Sequence, residues 1–416
     1  MTARGALWDE RPVSRRAVTT AGLLAPLAAL LAGCVGGTGA APPGTLRVLD
    51  SYTNAPDNGI IGAALDRAAA KVGVKLERVS VSGSSLIQRV LQQGSSGTLP
   101  DILMLDNPNL QQIAETTALR PFDELGIPTD GYTEGVTAAG TYDGRVYGLA
   151  PTVNTVALFY DVRALDEAGV APPTTWEELR RAAAELTGAG RYGIAFCGNA
   201  TYEGTWQYLP FFWSNGGDER DIAAPQGAAA LDLLAGLVGD GHASTSVLNW
   251  SQADVKDQFV AGRAAMMVNG PWQIPELSGV DGLEYDVVTL PLRDPGSQDP
   301  VAPLGGEVWT VPATGDATKE GLAAAVLTEF LADDSQLSMG EQRFTVPGKP
   351  ALADAYLELR PEMATFADLI AGARARTAHL GAEWPTTATA LYTALQLALS
   401  GQADAPAALA EAQEYV

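Results

Sequence analysis

TLRVLD at Thr45–Asp50 opens the stretch that decides the fold, and DILML at Asp101–Leu105 closes it. The first run is aliphatic and short, as a strand is; Ile60–Val72 then takes helical spacing, and Val74–Val81 alternates as a second strand. Leu86–Gln93 returns to helical spacing, and Gly94–Pro100 breaks it before the third strand. A β-α-β-α-β order predicts a doubly wound α/β sheet. Ligands of such sheets collect beyond the carboxyl ends of the strands, and the third strand runs straight into Asp106. Asp106 is therefore either a ligand group or a helix-capping aspartate.

A second α/β block follows. Val156–Tyr160 and Tyr192–Cys197 read as strands, Trp206–Trp213 as an aromatic-rich helix stopped by Asn215-Gly216-Gly217, and Gln226–Val238 as another helix. Phe259–Trp272, FVAGRAAMMVNGPW, then reads as the end of a short helix, a tight turn at Gly262 and a buried strand. Trp272 follows Gly270-Pro271 at that strand's carboxyl end, placed as a platform for a ligand or a plug over the core. Strands at Tyr285–Leu290 and Val308–Val311 and helices at Lys319–Ala332 and Thr386–Leu399 complete the chain, with a short amphipathic helix after Gly401.

The composition suits two lobes with substantial cores: 416 residues, 46% hydrophobic and 18% charged, with a mean hydropathy of +0.04. A formal charge of -23 repels nucleic-acid backbones and anionic membranes, so no nucleic-acid partner is expected. The first 33 residues read as an export signal: Arg11 and Arg15-Arg16, then an apolar run from Ala17 to Leu31. Leu31-Ala32-Gly33-Cys34 resembles a bacterial lipobox, and Ser14-Arg15-Arg16 resembles a twin-arginine signal. The expectation is cleavage before Cys34, lipidation of its sulfur, and residues 34–44 as a flexible tether to the outer face of the cell membrane. Cys197 is then left alone, which excludes a disulfide or a cysteine metal cluster.

Seven blocks carry a family likeness: Leu99–Leu125, Tyr142–Pro151, Pro172–Leu179, Phe211–Asp218, Phe259–Trp272, Leu304–Gly315 and Leu397–Gln413. In this order they resemble the extracellular solute-binding proteins of ABC importers, carbohydrate class, similar to maltose-binding protein. The resemblance implies a two-lobed periplasmic-binding-protein-like α/β fold with hinge-crossing strands and an interlobe cleft. Lobe 1 would take 45–153 plus 304–348, and lobe 2 would take 154–303 plus 349–416. It also implies a carbohydrate ligand, a permease with a separate ATPase, membrane attachment through lipid only, a monomer and no cofactor.

Site residues follow from the same resemblance. Asp106 would accept hydrogen bonds from sugar hydroxyls, and Trp272 would stack on a ring face. Glu203 precedes the aromatic helix as in some disaccharide binders, with an exposed acid as the alternative. Glu307 stands where some relatives place a tryptophan; here the tryptophan is Trp309, two residues on, able on an alternating strand to face the same side. Tyr52 and Asn54 lie in the first strand-to-helix loop. Arg343 lies near the hinge, as a ligand or a salt-bridge partner, and Trp384 precedes the last long helix, as cleft aromatic or core.

An exported acidic protein could instead be a glycoside hydrolase, which needs two carboxylates across the scissile bond; a binder of another small solute, or a structural lipoprotein, is a further alternative. Other chemistries lack their residues. His242 and His379 stand apart and outside any HExxH, and no G-x-S-x-G elbow or phosphate-binding GxxxxGK[ST] loop is present.

Overall fold

The computed structural model describes residues 44–296 and 299–416, the side chain of Ser84 excepted. The expected export signal, Cys34 and the expected tether up to residue 43 lie outside the described residues. β1 (Thr45–Asp50) pairs in parallel with β2 (Lys75–Ser80) on one side and β3 (Ile102–Asp106) on the other. The connections are α1 (Asp57–Val72) and α2 (Gly83–Ser96), the crossover helices that parallel pairing requires. Gly94 does not end α2 as expected. The helix runs on to Gly97, whose left-handed φ of 66° lets its N–H reach the carbonyls of Gln93 and Gly94.

The next strand of this sheet comes from far along the chain. Glu307–Pro312 lies antiparallel to β3, with Glu307 opposite Asp106, and its other edge takes the short strands Leu119–Arg120 and Gly148–Leu149. The sheet thus has the expected parallel half plus an antiparallel strand. Its core joins Leu46, Val48, Leu103 and Leu105 to Ile61, Leu65, Leu327 and Phe330 of flanking helices.

A second sheet runs in the order Tyr192–Ala195, Ala264–Asn269, Ala157–Asp161, Tyr285–Val288, the first pair parallel and the others antiparallel. All six residues of Ala264–Asn269 are buried, as befits a strand covered on both faces. Its side chains join two different cores. Met266 and Leu158 pack with Trp176, Phe211 and Leu391, while Met267 and Phe159 pack on the opposite face, where Phe159 meets Phe366 at 6.0 Å between ring centres. Short pairings tie the crossing segments together: Thr152–Val153 with Val346–Pro347, Pro303–Leu304 with Arg374–Ala375, and Asn154 with Gly305. Among the described residues no helix is long and apolar enough to cross a membrane.

Candidate ligand cleft

A cleft of about 360 Å³ opens where the two sheets and the crossing segments converge, a size within the range of ligand sites. Asp57, Asp106 and Glu307 enter it from the first sheet's side; Tyr202, Glu203, Trp206, Gln252 and Trp272 enter from the second. Asn154, Gly305, Gly306, Arg343, Thr345 and Arg376 come from the crossing segments.

Of the nine expected ligand residues, the structure brings five to this lining: Asp106, Glu203, Trp272, Glu307 and Arg343. Asp106 ends β3 and accepts a hydrogen bond from Arg376 Nη2 at 2.9 Å, while its own side chain stays 47% exposed. Glu203 lies in the first turn of the helix Tyr202–Ser214, and one carboxylate oxygen takes the backbone N–H of Gln252 at 3.1 Å. Trp272 sits in a one-turn 3-10 helix, Pro271–Gln273, directly after the buried strand, and is half-buried against the second core. Its ring lies over Gly270, where a Cβ would stand 1.9 Å from Cζ3, so only glycine permits this placement.

Glu307 and Arg343 belong to one network. Arg343 is buried and holds Asp57 through two hydrogen bonds of 3.2 and 3.1 Å, with Glu307 4.0 Å away. Burial works against its charge, but the Glu307 and Asp57 carboxylates hold its pKa above the usual guanidinium value. Phe344 beside it is left-handed, φ 53°, and this turn brings both Arg343 and Thr345 to the cleft.

Four expected ligand residues are elsewhere. Tyr52 is buried behind the lining; its hydroxyl donates to Glu307 at 2.5 Å and its ring lies 4.8 Å from the Arg343 guanidinium. Burial first, then Glu307, raises the Tyr52 pKa well above its ordinary value, so it is a fixed donor. Asn54 is exposed outside the lining, and its carbonyl accepts the Asn58 N–H at 2.9 Å. Trp309 does share the parity of Glu307, but two residues deeper the strand is covered by a helix: Trp309 is fully buried, edge-on to Phe330 at 4.9 Å. Trp384 is likewise buried, at the start of the helix Trp384–Leu399 in the second core.

Sequence reasoning passed over Arg376 and Trp206. Arg376 is buried, bonds Asn107 as well as Asp106, and lies 4.6 Å from the Trp206 ring centre. Trp206 reaches the cleft because Gly305 lacks a side chain: a Cβ there would stand 2.6 Å from the indole and 2.0 Å from Asn154 Oδ1. The glycine pair Gly305-Gly306 was the available signal. Four carboxylates and two guanidiniums line the cleft, and both arginines already face carboxylates. The arrangement suits a neutral polyol with an apolar face better than an anion.

Over 361 residues the chain is 24% identical to the galactooligosaccharide-binding protein of Bacillus subtilis, covering 82% of each. A binding protein of Brucella abortus is 26% identical over 253 residues, 55% of this chain and 59% of that one, so the match spans less than two thirds of that relative. The crystal structure of the cyclic alpha-maltosyl-1,6-maltose binding protein from Arthrobacter globiformis superposes with a TM-score of 0.77 at 25% identity, over 89% of this chain and 97% of that one. Residues 63–367 match the family described as bacterial extracellular solute-binding protein, and to that family the chain belongs.

Proposed function

We propose that the chain captures a neutral mono- or oligosaccharide in this cleft by closing two lobes around it, and hands it to an ABC import permease driven by a separate ATPase. The observation that carries this reading is that one cleft is lined by both the half-exposed Trp272 and the carboxylate of Asp106: an indole takes an apolar sugar face while the carboxylate accepts hydroxyl hydrogens. The relatives named for galactooligosaccharide and cyclic maltosyl-maltose binding support the ligand class. The lobes in this reading are 45–153 plus 304–348 and 154–303 plus 349–416, a division supported by one sheet drawing its strands from 45–149 and 307–312 and the other from 157–288. A ligand touching both sides favours the closed form because only there are both sets of contacts made. The protein acts as a monomer, tethered outside the cell by lipid on Cys34.

A panel of sugars tested by thermal shift, followed by chromatography of each stabilising sugar, tests the proposal. Stabilisation with the sugar unchanged supports binding for import. Cleavage of the sugar supports a glycoside hydrolase instead, and stabilisation by non-sugar solutes alone would overturn the carbohydrate reading.

A further inference from the structure

Glu219 carries a carboxylate in an unusual setting. It follows the aromatic helix in the loop after Gly216-Gly217 and is fully buried. One oxygen, Oε2, is held by the Trp213 indole N–H at 3.2 Å and lies 3.6 Å from Arg374, whose guanidinium stacks over Trp213 at 4.9 Å. The other, Oε1, receives no hydrogen bond from any described residue. It faces Nδ1 of His379 at 3.4 Å without the geometry of a hydrogen bond. A buried carboxylate oxygen left without a donor is costly and calls for an explanation.

We propose that Asp218, Glu219 and His379 form a binding site for a divalent cation of the zinc class. One ligand atom from each lies within 4.8 Å of the others. Two donor atoms sharing a tetrahedral zinc ion, at bonds of about 2.0–2.1 Å, stand about 3.4 Å apart, the separation seen between Oε1 and Nδ1. Both atoms then direct lone pairs at a common point rather than at each other. Asp218 and His379 are 51% and 36% exposed, so a cation enters from solvent and keeps a water as fourth ligand.

The donor set selects the metal. A nitrogen and two carboxylate oxygens suit zinc, whereas calcium wants six or more oxygens and magnesium an octahedral, largely hydrated shell. Arg220, 3.7 Å from Asp218, and Arg374 offset much of the negative charge, which weakens ions held by charge alone and leaves the imidazole to discriminate. Trp213 and Arg374 fix the carboxylate from behind, as outer-shell partners do. The cation would join the 218–219 loop to the segment from Arg374 to His379, which carries Arg376 into the cleft. Occupancy therefore braces the arginine that meets Asp106.

Calorimetry on purified, tag-free protein stripped with chelator tests the site, with zinc chloride as the probe and calcium and magnesium chlorides in parallel. One zinc per chain is expected, with a raised melting temperature, no response to calcium or magnesium, and an anomalous scattering peak between the three side chains in crystals soaked with zinc. His379→Ala and Asp218→Asn, both at exposed positions, are expected to weaken zinc binding by about tenfold or more, while His242→Ala leaves it unchanged. No zinc binding, or binding that survives His379→Ala, would overturn the proposal. The metal readouts need no sugar, so failure of this site and failure of the saccharide reading are separable.

Discussion

Gly270→Ala tests the placement of Trp272 without touching the ring. Gly270 has φ -109° and ψ 172°, extended backbone that alanine adopts freely, so no conformational strain enters. The new methyl would stand 1.9, 2.1 and 2.5 Å from Cζ3, Cη2 and Cε3 of Trp272. Carbon atoms rest at about 3.5–4.0 Å, so the ring must retreat by about 1.5–2 Å. Because Trp272 is only half-buried, it swings toward solvent rather than forcing the core apart, and the stability loss is expected at the low end of overpacking, about 1 kcal/mol. Binding suffers more. Losing a stacked sugar face forfeits its area burial and about 0.5–1.5 kcal/mol beyond it, and a total near 1.4–2.8 kcal/mol corresponds to about a ten- to hundredfold rise in Kd. Calorimetry with the saccharide that best stabilises the wild type measures this. Trp272→Ala is the companion, and adding Gly270→Ala to it is expected to change nothing further, since both act through one ring. Wild-type affinity in Gly270→Ala, or a further loss in the double variant, refutes the reasoning.

Trp309→Ala is expected to cost about 3–5 kcal/mol of stability, seen in denaturant melts, because its ring fills the core against Phe330; a loss of ligand affinity with stability intact would return it to the site. Tyr52→Phe removes the donor to Glu307 and is expected to lower ligand-free stability by about 1.5 kcal/mol with a smaller effect on affinity. Arg376→Ala leaves Asp106 unpaired and uncovers Trp206; affinity is expected to fall by about tenfold or more, which titration calorimetry reads. Burial pushes the Cys197 thiol from its ordinary 9.0 up to about 12. Raised in the fold, it supports stability fully below pH 9.0 and loses that support as pH climbs toward 12. In protein carrying Cys34→Ser, a thiol reagent at pH 8 is expected to react only on unfolding, and rapid native labelling would contradict the burial.

The parallel half of the first sheet was legible because period-2 and period-3.6 patterns alternate cleanly from Thr45 to Asp106. The cleft lining was legible where a strand end or a turn announces it, as at Asp106 and Trp272. What escaped depends on distance in sequence. Arg376 meets Asp106 across 270 positions, and nothing in its local sequence marks a cleft residue. Trp309 shows the limit of parity: alternation gives the side of a sheet, but the depth along the strand decides whether a helix covers it. At Gly305 the missing side chain is itself the feature, since it admits Trp206.

The strand Glu307–Pro312 joins its sheet about 200 residues after the partner it pairs with. At a synthesis rate of about 5–20 residues per second, β3 therefore waits about ten to forty seconds for that neighbour. Any sheet formed from β1, β2 and β3 before that strand is made has an open aliphatic edge at Ile102 to Leu105, a natural target for holding chaperones and for mispairing. The late strand thus sets the earliest moment at which the first sheet can close.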